Sequence, residues 1–217
     1  MTLCNNKNLQ KFLDDAVFQG FLTNKAAKSG INHSTGFLFS QENSFFANNL
    51  ESKDVAVDLG TGGGLPGLVL ACLTDCFWIF VDRSKRKCSF LSTAITELNL
   101  QNRVEVLECS AEELGNSSYR GKVKLVTARG FAAPAITAEC AAPLLNGEGL
   151  FVVSEPPYGM AVESENRWPQ AGLSLLGLKQ KDYWHTGVAG YRSFFPEKRC
   201  PDDYPRRFKR ISEKPLF

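Results

Sequence analysis

Histidine is almost missing from this chain of 217 residues, which holds only 2. His33 and His185 lie far apart, and neither sits beside an acid in the sequence. That gives little support to a histidine-based proton shuttle or a histidine metal site. Long apolar runs are missing too. None approaches the roughly 18 residues of a membrane span. The N-terminus lacks a basic stretch followed by an apolar one, so no secretory signal is expected and a reducing cytoplasm is the simplest home. The 7 cysteines are an odd number without a regular framework, and most sit in apolar segments, where a thiol acts as a small hydrophobe. Cys72 and Cys76 lack zinc-finger spacing and a second pair, so no metal is expected. The net charge of +2 is too small to argue for a nucleic-acid partner by itself.

What is present is a soluble globular composition, 43% hydrophobic and 22% charged. Leu9, Phe12, Leu13, Ala16, Val17 and Phe21 recur at three- and four-residue spacing and predict a helix. Gly30-Ile31-Asn32-His33 reads as a connector, and the Phe-rich stretch from Gly36 to Leu50 as a place for another short helix. From Lys53 onward strand and helix alternate. Strands are expected at Val55–Asp58, Phe77–Val81, Val104–Leu107, Leu125–Ala128 and Gly149–Ser154, with helices at Pro66–Leu73, Ser84–Leu98 and Pro134–Leu144 between them. This is the pattern of a parallel sheet covered on both faces, an α/β fold. Leu173–Leu178 and Gly187–Phe194 read as a closing antiparallel pair.

The first strand runs into Asp58-Leu59-Gly60-Thr61-Gly62-Gly63-Gly64-Leu65-Pro66-Gly67. Glycines between a buried strand and a helix allow a tight turn and close approach of a ligand to backbone amides. A phosphate-binding P-loop would need Gly-Lys-Ser/Thr, and no lysine is present. A dinucleotide fingerprint is matched by Gly62, Gly64 and Gly67, with Asp82 downstream for a ribose. An acid-x-Gly-x-Gly loop for S-adenosylmethionine is matched by Asp58, Gly60 and Gly62. Three features favour the sulfonium cofactor. Asp58 precedes the glycines, where a cofactor with an amino-acid tail can use an acid directly or through water. Asp82 ends the second strand, placed for two ribose hydroxyls. Ser110-Ala111-Glu112 follows the third strand, where adenine is usually contacted.

The segment Val57–Gly67, with its Leu65-Pro66-Gly67 ending, resembles the cofactor loop of the bacterial 16S rRNA guanine-N7 methyltransferases, the glucose-inhibited division protein B family. Asp82–Leu91, Ala111-Glu112-Glu113, Thr127–Ala132 and Tyr204–Arg207 with Lys214-Pro215-Leu216 resemble further segments of that family. The resemblance implies a Rossmann-like class I methyltransferase with a seven-stranded, mostly parallel sheet and helices on both faces. It implies a helical extension over residues 1–50 and a cofactor-binding domain over 51–217. Gly60, Leu65, Ala111, Glu112 and Arg129 fall where the family contacts S-adenosylmethionine, and Asp82 fits the ribose role. The implied acceptor is guanine N7 in 16S rRNA or the 30S subunit, with the protein acting as a monomer.

Guanine N7 has a free lone pair and no proton, so attack on the sulfonium methyl needs alignment and no general base. Arg129, at the end of the fourth strand, is the expected residue at the reaction face. Arg206, Arg207, Lys209 and Arg210 are expected to contact phosphate. The chain departs from the family in three places. Asn43–Leu50 lacks the His-x-x-Asp-Ser segment; Phe208-Lys209-Arg210 replaces a Pro-Gly turn; and Glu155 stands where a lysine is usual, near the expected RNA face. Pro156-Pro157-Tyr158 reads as a turn. The departures keep open a relative acting on another RNA, a protein or a small molecule. The glycine spacing keeps open an NAD-dependent oxidoreductase, and a binding protein without catalysis is the remaining alternative.

Overall fold

A computed structural model describes residues 6–39, 49–155 and 167–217. The readings made for Asn43–Asn48 and for Pro156-Pro157-Tyr158 lie outside these residues. Two helices, α1 (Asn6–Phe18) and α2 (Asn24–Thr35), lead into β1 (Val55–Leu59). Then follow α3 (Gly67–Leu73), β2 (Phe77–Asp82), α4 (Lys85–Glu97), β3 (Val104–Glu108), α5 (Ala111–Gly115) and β4 (Val123–Ala128). The chain ends with α6 (Pro134–Ala141), β5 (Leu145–Glu155), α7 (Gln170–Leu175), β6 (Leu178–His185), β7 (Gly190–Pro196) and α8 (Phe208–Glu213). None of the described helices is long and apolar enough to cross a membrane.

The strands form one seven-stranded sheet in the order β3-β2-β1-β4-β5-β7-β6. β1 to β5 run parallel, and β7 is antiparallel to both β5 and β6. The two-residue period of a strand sends alternate side chains to opposite faces. Ala56, Trp78, Phe80 and Leu125 therefore pack under α1, α2, α3 and α4. Val57, Ile79, Val81 and Val126 pack under α5, α6 and α7. The chain steps outward from β1 to β3 and then crosses back to β4 on the other side of β1. In such sheets the reversal opens a crevice at the carboxyl ends of the strands, here between the loops after β1 and β4.

The amphipathic N-terminus behaves as its spacing predicts as far as Ala16, while Phe21 lies beyond the end of α1. Leu9, Phe12, Leu13 and Ala16 are buried in the core of the sheet's first face. Each fully buried Leu or Phe contributes about 1.5–3 kcal/mol. Gly30–His33 is not a connector, because α2 runs through it. Gly30 is there for contact, since a Cβ on it would lie 2.8 Å from Leu65 Cδ1. Within the Phe-rich stretch, Gly36–Leu38 forms a short helical turn. Trp184 donates from Nε1 to the Gly36 carbonyl at 2.9 Å, and the Tyr191 hydroxyl to the His33 carbonyl at 2.6 Å, tying α2 to the antiparallel strands.

The closing pair needs one correction. Leu173–Leu178 is not a strand: Leu173 and Leu176 are buried at the end of α7, and Gly177 turns the chain at φ +74°. β6 starts only at Leu178 and continues through Lys179, Gln180, Lys181 and Asp182. It is an edge strand, so polar residues occupy most of it and hide its pattern.

Candidate active site

The loop after β1 is held from both sides by carboxylates. Asp58 is fully buried; its Oδ2 accepts from the Gly67 amide at 3.0 Å and its Oδ1 from the Thr127 hydroxyl at 2.8 Å. A Cβ on Gly67 would lie 2.6 Å from Asp58 Oδ2, so only glycine lets the helix start this close to the acid. Asp82, ending β2, accepts from the Gly62 amide at 3.0 Å through Oδ2 and from the Ser84 amide at 2.9 Å through Oδ1. The turn itself needs left-handed backbone at Gly60, Gly62 and Gly64, with φ of +67°, +60° and +102°. The N-terminal extension closes over it: a Cβ on Gly63 would lie 2.6 Å from Leu22 Cγ.

Burial pushes the Asp58 carboxyl up to about 7, against the Thr127 and Gly67 hydrogen bonds and the Arg129 charge, which favour its ionised form. A carboxyl raised on folding contributes stability below its unfolded pKa that is lost as pH rises through the folded value. His33 works the other way. Burial and the neighbouring Arg129 charge lower it to about 4, so its contribution is lost as pH falls from about 6.5 through 4. The two slopes oppose each other between roughly pH 4 and 6.5. Asp58→Asn removes the first alone. Urea unfolding should show the variant gaining on the wild type as pH rises from 4 to 7, by up to about 4 kcal/mol. A constant gap would contradict the burial of this acid in the folded protein.

Two hollows open at the carboxyl ends of the strands. The first, of about 260 Å³, is lined by Gly60, Asp82, Lys87, Ala111, Glu112 and Phe131 among others. At the start of α5, Ser110 and Glu113 form a reciprocal cap, with the Ser110 amide donating to Glu113 Oε2 at 2.8 Å. Glu113 thus does the capping that an acid in a first turn usually does, and Glu112 is left on the wall of the hollow. The second hollow, of about 320 Å³, is lined by Arg129, Phe131, Thr137, Glu155, Arg167 and Trp168 among others. A third, of about 550 Å³, lies at the opposite end of the sheet beside Lys124, Glu148 and Phe195, away from the crevice where such folds bind ligands.

Of the residues expected at the cofactor, Gly60, Asp82, Ala111 and Glu112 meet around the first hollow, and Arg129 lines the second. Asp58, Gly62 and Leu65 do not line the first hollow. Asp58 pins the start of α3, Gly62 donates to Asp82, and Leu65 is buried against Gly30. Arg129 Nη1 is buried and finds no hydrogen-bond partner among the described residues. A buried donor without a partner is costly, and such a group at a cleft is a mark of a ligand site. The glycine cradle, the acid at the end of β2 and this unpartnered guanidinium donor suit a cofactor with a ribose and a charged amino-acid tail.

Two expectations change. Arg206 is not free for phosphate: its Nε lies 2.8 Å from Glu139 Oε1 and its Nη2 2.6 Å from Oε2, and Glu139 is fully buried. Arg207, Lys209 and Arg210 stay exposed. Glu155 is not a free acid on an RNA face. Its side chain is 3% exposed and binds Arg167, the Trp168 indole at 2.6 Å and Arg192 at 3.4 Å. Sequence reading also passed over Phe131, which lines both hollows, and Phe208, which sits 4.9 Å under the Arg83 guanidinium at the rim of the first. Phe131 stood two residues after Arg129, inside a segment read for the arginine alone.

A model of the rRNA small subunit methyltransferase G family matches residues 41–180. The chain belongs to this family. The family's Ribosomal RNA small subunit methyltransferase G from Carboxydothermus hydrogenoformans is 32% identical over 169 residues, covering 74% of this chain and 70% of that one. The protein of the same name from Prochlorococcus marinus is 29% identical, covering 77% and 73%. Among solved structures, a geranyl diphosphate C-methyltransferase from Streptomyces coelicolor with S-adenosyl-L-homocysteine aligns with a TM-score of 0.56 at 11% identity, covering 78% and 79%. A putative rRNA-methylase from Clostridium thermocellum aligns with a TM-score of 0.53 at 16% identity, covering 71% and 93%. At those identities the likeness shows the fold, the Rossmann-like class I arrangement. As a member of the G family the chain is an S-adenosylmethionine-dependent methyltransferase, and the nicotinamide reading of the glycine loop drops out.

Proposed function

We propose that this chain methylates N7 of a guanine in 16S rRNA, as free RNA or in the 30S subunit, acting as a monomer in the cytoplasm. The observation that carries the reading is Arg129: a half-buried cation at the end of β4 whose buried Nη1 has no hydrogen-bond partner among the described residues, on the hollow next to the one that suits the cofactor. S-adenosylmethionine supplies the electrophilic methyl group. Asp82 takes the ribose, Ala111 and Glu112 the adenine side, and Gly60, Gly62 and Leu65 shape the cradle that Asp58 pins. Arg129 orients the amino-acid tail and the acceptor together.

The wall chemistry agrees with an acceptor that carries no proton. Neither hollow has a histidine among the described residues that line it. His33, behind Arg129, is held neutral by burial. What remains for the protein is alignment and exclusion of water. Within the 1–50 extension, Phe21 and Leu22 brace the loop of the 51–217 domain. Arg207, Lys209 and Arg210 hold phosphates at the rim that Phe208 joins to the hollow, so affinity falls as salt rises.

Mass-spectrometric mapping of 16S rRNA from cells with and without the gene tests the reading. One N7-methylguanosine should vanish in the deletion strain and return on complementation. An unchanged methylation map would remove the rRNA assignment.

A further inference from the structure

Guanine N7 in a paired RNA helix faces a deep, narrow major groove that side chains do not enter. An enzyme acting there works on an unstacked nucleotide, and something must replace the stacking that the base gives up. The second hollow, about 320 Å³, is at the small end for a ligand pocket and of a size for one base. Among the described residues it shares Gly130, Phe131 and Ala132 with the cofactor hollow. Of these, Phe131 alone has a ring.

Trp168 is the other aromatic residue on this hollow among the described residues, and it is well engaged. Its ring lies 4.7 Å from Phe194 and 6.2 Å from Phe151 between centroids, and its indole N–H is bound to Glu155. It forms a fixed wall with the Glu155–Arg167 pair. Phe131 is half-buried, with its edge on the cofactor loop: a Cβ on Gly60 would lie 2.6 Å from Phe131 Cδ2. The ring therefore touches the cofactor loop along one edge and stands on the wall of the second hollow. A planar ring so placed sets how far a stacked base stands from the cofactor loop.

From this geometry we infer that Phe131 is the stacking platform for a single unstacked purine base of the RNA, received between Arg129, Thr137 and the Trp168 wall. The inference rests on the methyltransferase reading above. Its test compares Phe131→Leu and Phe131→Tyr with the wild type, using 30S subunits as acceptor for kinetics and S-adenosylhomocysteine for calorimetry. Loss of a base–aromatic stack should lower kcat/KM for the RNA by about 5- to 150-fold in Phe131→Leu. Phe131→Tyr keeps the ring and should stay within about threefold of the wild type. Because Phe131 also touches the cofactor loop, the loss in kcat/KM for the RNA should exceed any loss of S-adenosylhomocysteine affinity in Phe131→Leu, and retained binding of that compound reports that both variants fold. Kinetics for the RNA unchanged in Phe131→Leu would overturn the inference. So would equal losses in both variants matched by weaker S-adenosylhomocysteine binding, because the ring would then serve the cofactor loop alone. Failure of the wild type to bind S-adenosylhomocysteine would instead strike the methyltransferase reading.

Discussion

Replacing Arg129 with Met should lower methyl transfer by about 100- to 1,000-fold while making the fold no less stable. The two effects have one cause. Arg129 Nη1 is buried without a hydrogen-bond partner among the described residues, and burial alone pulls the guanidinium below its usual pKa. An unsatisfied buried donor costs about 1–3 kcal/mol, more when charged. Methionine is similar in length and has no such requirement, so the unfolding free energy should rise by about 1–2 kcal/mol. Under the proposed function the same donor meets a polar ligand in the working complex, so its loss should be felt in catalysis. A variant that lost stability and kept activity would make Arg129 an ordinary structural residue. Urea unfolding and single-turnover methylation of 30S subunits measure the two sides.

The largest loss of stability should come from Glu139→Ala, at about 3–5 kcal/mol. Glu139 is fully buried in α6 and accepts the Arg206 backbone amide at 2.9 Å as well as both arms of its guanidinium. Removing the acid strands a cation whose side chain is only 14% exposed. For a chain of this size the melting temperature should fall by roughly 6–20 °C. Replacing both partners with apolar residues should recover most of the loss, since the penalty is the stranded charge. The pair also anchors the segment that carries Phe208 to the rim of the cofactor hollow, so Glu139→Ala should weaken RNA binding without touching RNA. If Arg206→Ala left stability unchanged and reduced only RNA affinity, the earlier phosphate role for Arg206 would stand.

These two residues show what a sequence displays and what it withholds. The parallel strands were legible because buried strands are short apolar runs and the glycine loop fixes where the first one ends. Asp82 and Glu112 were legible because strand ends and helix starts fix their place. The face that Glu155 and Arg206 present was not. An acid or a basic tail looks solvent-directed in a sequence, and only the fold reveals that Arg167, Arg192 and Trp168 surround the one and Glu139 binds the other. Gly30 looked like a break for a related reason: its lack of a side chain answers to Leu65, thirty-five residues away, and not to the local backbone. Phe131 was hidden because one ring in a strand-end segment carries no period.

The glycine loop keeps the role it had in the sequence, with a sharper division of labour. Gly60, Asp82, Ala111 and Glu112 line the first hollow, where we propose the cofactor sits. Asp58 stands behind it, a buried acid that sets where α3 begins.

The central claim is transfer of a methyl group to guanine N7, and the atom itself can be removed. 30S subunits reconstituted with 16S rRNA transcribed from 7-deazaguanosine triphosphate have carbon in place of N7 at every guanine. With methyl-labelled S-adenosylmethionine, particles carrying ordinary guanine should take up about one label each and the 7-deaza particles none. Equal labelling of the two would place the methyl on another atom and contradict the account.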